Sequence, residues 1–155
     1  MKEQFHVLIE KAIQLELDVA ELYIRLHALF PSDASFWWTL AIEEKNHAAL
    51  LKTLQEMQDS DLEIPADFYP EGDQVLEDSM QRIAEAMRTL EENPNRELAL
   101  RTAYEIENSA GEMHYNSFAK TANQSPVATV FRTLNGNDID HARRIREYMD
   151  KLGMS

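Results

Sequence analysis

Two short segments of the sequence pair a carboxylate with an imidazole three residues further on. "IEEKNH" contains Glu44 and His47, and "DIDH" contains Asp138 and His141. In a helix this spacing brings both side chains onto one face, about one turn apart. Two further stretches with the same apolar period each carry one acid among their apolar residues, and these acids are Glu16 and Glu107. The recurring order is therefore Glu, then Glu-x-x-His, then Glu, then Asp-x-x-His.

Burial makes such carboxylates costly unless something neutralises their charge. Four ionised carboxylates in one core repel one another, and each loses hydration worth several kcal/mol. They must either hold protons, with strongly raised pKa values, or bind cations. Two divalent ions would balance four carboxylates, and oxygen and imidazole donors suit iron or manganese, with zinc also possible. The pattern predicts a di-metal site in which two carboxylates bridge and each metal takes one histidine.

The elements that must position these residues are long segments with an apolar period of about 3.6 residues. We predict long helices, with a shorter amphipathic one between the second and third, over residues 3–30, 33–57, 74–90, 97–121 and 126–152. Ser32 or Asp33 is a candidate N-cap for the second helix, and Ser125 is one for the last, ahead of Pro126. Short turns within each half and a long connection between them predict one domain over 1–155. Its fold class is an all-α four-helix bundle with a crossover connection and one extra shorter helix.

Composition narrows the classes of function. The chain has 155 residues, of which 44% are apolar and 28% charged, as in ordinary globular domains. Its net charge of −13 argues against nucleic acid or an anionic membrane as a partner, and it fits either solubility or attraction of cations. The absence of cysteine excludes disulfides and thiolate metal sites. Because neither a signal peptide nor a membrane-spanning apolar run is found, we expect a cytoplasmic protein.

Three further residues could support the predicted site or could simply pack in the core. Tyr23 and Tyr115 follow the single acids of the first and third helices by about two turns. They are candidates for hydrogen bonds to a carboxylate ligand across the bundle, although buried tyrosines usually only pack. His114 is a candidate for a supporting group, an exchangeable ligand or an ordinary core histidine. Glu43 falls on another helix face, and we expect it to be solvated.

Four motifs resemble those of the rubrerythrin branch of the ferritin-like superfamily. Glu16 followed by Tyr23 resembles the family's first-helix Glu and Tyr, and "AIEEKNH" resembles its A-x-x-E-x-x-H signature. "YNSFAKTA" resembles the Y-x-x-F-A-x-x-A stretch after the third-helix glutamate, and "FRTLNGNDIDH" resembles F-R-x-I-x-x-x-E-x-x-H. The resemblance covers most of the chain. It implies a ferritin-like bundle whose metal ligands, and through the metals its catalytic residues, are Glu16, Glu44, His47, Glu107, Asp138 and His141.

The resemblance also implies an activity, which three departures modify. It implies a homodimer with a di-iron or mixed-metal centre that reacts with hydrogen peroxide or dioxygen. The Cys₄ rubredoxin-like module of the family's peroxidases is absent, so electrons must come from a partner protein. Ala110 stands where those peroxidases carry the glutamate of their redox-linked ligand exchange. Asp138 is one methylene shorter than the family's glutamate, which affects the metal spacing or bridging.

Three functions are compatible with these observations. The leading one is an oxidoreductase that acts on hydrogen peroxide or dioxygen with an external electron donor. The second is iron oxidation with storage or delivery, as in ferritins, which requires a large shell of subunits. The third is a helical interaction protein whose metal site is structural or vestigial.

Overall fold

Every regular element in the computed structural model is helical within the residues that it describes, which are 2–57, 72–109 and 125–154. The elements are α1 (Lys2–Leu29), a 3₁₀ turn (Pro31–Asp33), α2 (Ala34–Met57), α3 (Gly72–Glu92), α4 (Arg96–Ser109) and α5 (Pro126–Lys151). The predicted all-α class is confirmed for these residues, and the helix bounds differ from the predicted ones by at most two residues. The predicted end of the third long helix, at residue 121, lies outside the described ranges.

Local sequence explains where the later helices begin. Ser125 Oγ accepts a hydrogen bond from Ala128 N at 3.2 Å, and Pro126 occupies the first turn of α5, as predicted. At the start of α4, Asn95 Oδ1 accepts a hydrogen bond from Leu98 N at 2.9 Å. α5 continues through its "NGN" stretch without interruption, although a glycine inside a helix costs about 1 kcal/mol. Tertiary packing of the buried face of α5 offsets this cost.

The ion pairs between α1 and α3 show in which direction α3 runs relative to the first helix pair. α1 and α2 pack antiparallel across the short 3₁₀ turn. Lys11 Nζ lies 2.6 Å from Glu77. About four turns further along α1, Arg25 Nη1 lies 2.8 Å from Glu91. Because both partners advance along their helices together, α3 runs parallel to α1.

A second set of contacts fixes the direction of α4 and α5. Arg96 at the start of α4 and Tyr148 near the end of α5 both bond to Asp33, just before α2. α4 therefore begins at the end of the molecule where α2 begins, and these two helices run in the same direction. The chain crosses the length of the bundle between its two antiparallel pairs, and α3 is the helix that makes this crossing.

One connected apolar core joins all five helices. Tyr23, Trp37 and Phe131 are among its largest fully buried side chains. α3 covers α1 with three buried residues at intervals of seven, Leu76, Ile83 and Leu90. A search of the described residues finds no helix with the length and apolar character that crossing a membrane requires.

Candidate metal centre

Four helices each bring one acidic residue to the same buried place, and two of these helices add a histidine. All six side chains are between 1 and 5% exposed, and they are Glu16 (α1), Glu44 and His47 (α2), Glu107 (α4), and Asp138 and His141 (α5). Each of these residues lies on the apolar face of its helix, which packs against the core, and it is therefore buried together with its apolar neighbours. The structure therefore brings together all six residues that the sequence predicted as ligands.

The six residues form two overlapping groups of four. Glu16, Glu44, His47 and Asp138 place one ligand atom each within 4.8 Å of one another, and so do Glu44, Glu107, Asp138 and His141. Glu44 and Asp138 belong to both groups, whereas each group has one acid and one histidine of its own. This is the arrangement in which two carboxylates bridge a pair of metals and each metal has its own carboxylate and imidazole.

Glu44 lies between the two histidines. Its Oε2 is 3.1 Å from His47 Nδ1, and its Oε1 is 2.7 Å from His141 Nδ1. The same two ring nitrogens lie 3.6 Å from Glu16 and 3.5 Å from Glu107, respectively. The imidazoles are nearly parallel, with centroids 5.4 Å apart. Both Nδ1 atoms thus point into the carboxylate cluster, one towards each half of it.

Within the described residues, three buried polar atoms of this centre have no hydrogen-bond partner. They are Glu44 Oε1, Asp138 Oδ2 and His141 Nδ1. The first and the last approach to 2.7 Å, but their alignment is not that of a hydrogen bond. Buried polar atoms in folded proteins are nearly always paired, because desolvating them without a partner costs about 1–3 kcal/mol. Carboxylate oxygens and imidazole nitrogens that lack hydrogen-bond partners and lie close together are available to coordinate a cation. The residues of the centre are therefore suited to the metals that the sequence predicts.

The metal-free centre must hold protons. Burial, and next the charge of Glu107, raise the pKa of Glu44 to about 8, and burial raises the pKa of Asp138 well above its ordinary value. Burial alone would lower the histidine pKa values, but contacts with the surrounding glutamates outweigh it. The pKa of His47 rises to about 10 through Glu16 and Glu44, and that of His141 to about 11 through Glu107 and Glu44. Protons therefore occupy the place of cations when no metal is bound.

Tyr23 supports the cluster from α1. Its hydroxyl donates a hydrogen bond to Glu107 Oε1, and its ring stacks on Trp37 with centroids 5.6 Å apart. Burial, and the negative charge of Glu107, raise the pKa of Tyr23 well above its ordinary value, so the phenol stays a donor. The sequence singled out Tyr23 for such a bond, although it did not identify the carboxylate. Ala110, His114 and Tyr115 lie outside the described residues.

Glu43 is connected to the centre, which the sequence did not predict. Its side chain is 37% exposed, but its Oε2 lies 3.2 Å from His141 Nε2 and accepts a hydrogen bond from Arg144 Nη1 at 2.7 Å. Glu43 is therefore partly solvated, as expected, but it also contacts a residue of the centre, which was not expected. A sequence signal for it exists, because a polar residue precedes every ligand in both acid-x-x-His segments, namely Glu43, Asn46, Asn137 and Asp140.

A small opening reaches the two histidines from the surface between α2 and α5. It has a volume of about 160 Å³ and is lined by His47, His141 and the four polar residues that precede the ligands. A larger cavity of about 280 Å³ lies between α1, α3 and α4, but none of the six ligand candidates lines it. Of these two cavities within the described residues, the smaller one reaches ligand candidates of the centre, namely His47 and His141.

Comparison of the chain with models of known protein families, with curated proteins and with solved structures finds no match in any of the three. The function is therefore inferred from the residues of the centre and from their geometry.

Proposed function

We propose that this protein binds two divalent metal ions, iron foremost, and acts as an oxidoreductase on hydrogen peroxide or dioxygen. One observation carries the proposal: two buried groups of four ligands share Glu44 and Asp138. Glu16 and His47 complete one metal position, and Glu107 and His141 complete the other. Manganese or zinc would suit the same donors.

Bound redox-active ions would supply the electrons that peroxide or dioxygen takes up. Hydrogen peroxide needs two electrons and two protons to give two molecules of water, so an external donor protein must return the electrons. The residues of the chain have three tasks in this reaction. They hold the ions against charge repulsion, they exclude bulk water through burial, and they leave a narrow opening at the histidines for a small oxidant.

We further propose that the bundle is of the ferritin-like, rubrerythrin type. The support is the order of helix directions, with two antiparallel pairs joined by a crossing helix, together with one acid from each of four helices and a histidine from two of them. The exposed Trp38 and Ile42, one turn apart on α2, support the expected homodimer. The native mass tests this assembly, since a ferritin-type storage shell would be many times larger than a dimer.

The direct test is metal analysis of protein isolated without chelators, followed by anaerobic titration with ferrous iron. We expect two ions per chain, and we expect added peroxide to oxidise them with multiple turnovers when a reductant is present. Glu107→Gln should lose at least one of the two ions, because it removes a charged ligand from one position. Glu105→Gln is the matched control, since it makes the same chemical change at an exposed residue of the same helix.

Two results would contradict the proposal in different ways. If the wild-type chain binds no metal and iron does not raise its melting temperature, the centre is vestigial and the protein is a helical interaction module. If two ions bind but peroxide and dioxygen leave ferrous iron unchanged in the presence of a reductant, the metals have a structural role only.

A further inference from the structure

The two histidines of the centre differ in what their outer nitrogens meet. His141 Nε2 lies 3.2 Å from Glu43 Oε2, on the side of the ring that faces away from the centre. The nearest contacts of His47 with carboxylates are all made by Nδ1, and within the described part of the chain its ring has no ion pair with an acid outside the centre. In the second acid-x-x-His segment, the position that corresponds to Glu43 holds the neutral Asn137. Among the described residues, a carboxylate from outside the centre therefore contacts the ring of His141 but not the ring of His47.

This difference affects metal binding because an imidazole ligand must offer a lone pair to the ion. His141 Nδ1 points at Glu44 and Glu107, so Nδ1 is the nitrogen that must be unprotonated. The ring proton then resides on Nε2, where it requires an acceptor. Glu43 Oε2 is placed to accept it, and a carboxylate in that place both fixes the tautomer and makes the ring a stronger donor to the metal.

Glu43 is itself held in position from α5. Arg144 Nη1 donates a hydrogen bond to it at 2.7 Å and lies 3.6 Å from Asp140. Since Arg144 belongs to the same helix as His141, this contact ties the α2 carboxylate to the helix whose histidine it faces. A series of contacts thus leads from the partly exposed Arg144 through Glu43 to His141.

We propose that Glu43 is a positioning residue that orients His141 and makes the metal position of Glu107 and His141 the tighter of the two. The inference rests on the proposed metal-binding function and goes beyond it, because it predicts which position fills first and which residue causes this order. Its support is geometric and would hold for any divalent ion that the two groups of ligands accept.

The test uses zinc as the probe, because the ion is diamagnetic and has no redox chemistry. Titration of the full chain in competition with a chromophoric chelator should resolve a tighter and a weaker step. Glu43→Ala should weaken the tighter step about tenfold and leave the weaker step within twofold. Glu43→Gln keeps an oxygen that accepts the same proton, so it should recover part of the loss.

A matched control and a spectroscopic readout separate positioning from a general effect. Asp140→Ala removes another carboxylate that lines the same opening and contacts Arg144, but Asp140 has no hydrogen bond or ion pair to either histidine within the described residues. It should weaken the tighter step much less than Glu43→Ala does, because Asp140 supports Glu43 only through Arg144. In ¹⁵N-histidine spectra of the zinc-loaded protein, one ring should show a metal-bound Nδ1 and a slowly exchanging Nε2 proton. That proton should exchange faster in Glu43→Ala.

Each remaining outcome overturns the inference. An unchanged tighter step in Glu43→Ala, equal weakening of both steps, or an equal effect of Asp140→Ala would show that Glu43 does not position His141. These results leave the proposed function intact, since the wild-type chain still binds two ions. If the wild-type chain binds no zinc, iron or manganese, the proposed function fails and this inference fails with it.

Discussion

Within the described residues, carboxylates are buried in two places, and their charges are balanced in different ways. Asp33, whose side chain has no solvent exposure, accepts hydrogen bonds from Arg96 at 2.7 and 2.5 Å and from Tyr148 at 2.6 Å. These hydrogen bonds, that of Arg96 above all, lower the pKa of Asp33 below its ordinary value. In the centre, Glu44 and Asp138 have raised pKa values and no arginine or lysine partner within the described residues.

The two places differ in what balances the buried negative charge. At Asp33 it is a side chain of the protein itself, whereas the centre has room for an external cation. The cation that Asp33 needs is encoded in the chain, so its charge is satisfied as soon as the protein folds. The centre collects four acids from four helices; within the described residues Glu44 and Asp138 have no lysine or arginine in hydrogen-bond range, and three polar atoms are unpaired. Protons can balance this charge, and the two groups of ligands could also hold metal ions.

The largest effect that separates the two places should be the pH dependence of metal binding. Glu44, His47 and His141 have pKa values of about 8, 10 and 11 and must lose their protons when metals bind. The raised pKa of Asp138 allows a further proton to be displaced, so at least three protons leave and the product of the two binding constants should rise at least about a thousandfold from pH 6 to pH 7, or about 4 kcal/mol.

Calorimetric titration with zinc in buffers of different ionisation enthalpy measures the released protons directly. Asp33 adds nothing to this count, because its lowered pKa keeps it ionised throughout that range. Binding that is independent of pH between 6 and 7 would mean that the centre is not protonated when empty.

The next largest effect should come from removing the internal cation. Arg96→Met leaves the Asp33 carboxylate buried without its charged partner, and breaking such a pair costs several kcal/mol. We expect about 3 kcal/mol, at the lower end of that range, because the Arg96 side chain is itself 38% exposed and water reaches the pair. Urea unfolding at neutral pH measures the loss.

Arg25→Met is the matched control for this change. Arg25 also contacts two acids, Glu21 and Glu91, but all three side chains are about half exposed. Exposed pairs contribute at most about 1 kcal/mol. A loss in Arg96→Met as small as the loss in the control would show that Asp33 does not depend on an internal cation.

Most of the fold could be predicted from the sequence because long amphipathic helices reveal themselves through one period. The described helix ends fell within two residues of the predicted ones, since caps such as Ser125 and turns such as "NPN" are local signals. The bond between Asp33 and Arg96 could not be predicted. It joins residues 63 positions apart, and nothing in the local sequence of either residue specifies the other.

The centre was also predictable, but its surroundings were not. The helical period of apolar residues identifies acids and histidines that fall on a buried face, and this pattern alone selects all six ligand candidates. The contact of Glu43 with His141 could not be predicted. A polar residue precedes each ligand of the two acid-x-x-His segments, but only the rotation of α2 relative to α5 decides that Glu43 meets His141, across 98 positions of sequence. A periodic pattern identifies the buried face of a helix, but it does not determine which residues meet at the edge of that face.

A smaller effect, of opposite sign, should follow from neutralising the centre. Glu44→Gln should stabilise the metal-free protein by about 2 kcal/mol at pH 7, because folding no longer requires a proton on a buried carboxylate. For an acid with a raised pKa, the folded state loses stability as pH rises from the unfolded value of 4.5 towards about 8. The gain should therefore be smaller at pH 5 than at pH 7.

Urea unfolding at both pH values checks this sign, and Glu105→Gln serves as the exposed control. Excess zinc should reverse the order, because only the wild type keeps both carboxylates that the two groups of ligands share, and it should therefore gain more stability from bound zinc. A metal-free Glu44→Gln protein that is less stable than the wild type would show that the carboxylate is already satisfied within the chain.

The smallest effect should be the loss of stability when a tyrosine that donates a hydrogen bond to a buried carboxylate is replaced by phenylalanine. Each of the two places has one such tyrosine among the described residues. Tyr23→Phe removes the hydrogen bond to Glu107, and Tyr148→Phe removes the bond to Asp33. A hydrogen bond to a charged group contributes about 1.5–3 kcal/mol, but the loss is smaller when the acceptor keeps other partners or when water replaces the donor.

Asp33 keeps both hydrogen bonds from Arg96, and Tyr148 is only partly buried, so Tyr148→Phe should cost less than about 1 kcal/mol. Tyr23 is fully buried in a centre with no such cation, so its replacement should cost about 1–2 kcal/mol in urea unfolding of the metal-free protein. Equal losses would mean that Glu107 is as well supplied with donors as Asp33, and the contrast between the two places would then reduce to Glu44 and Asp138.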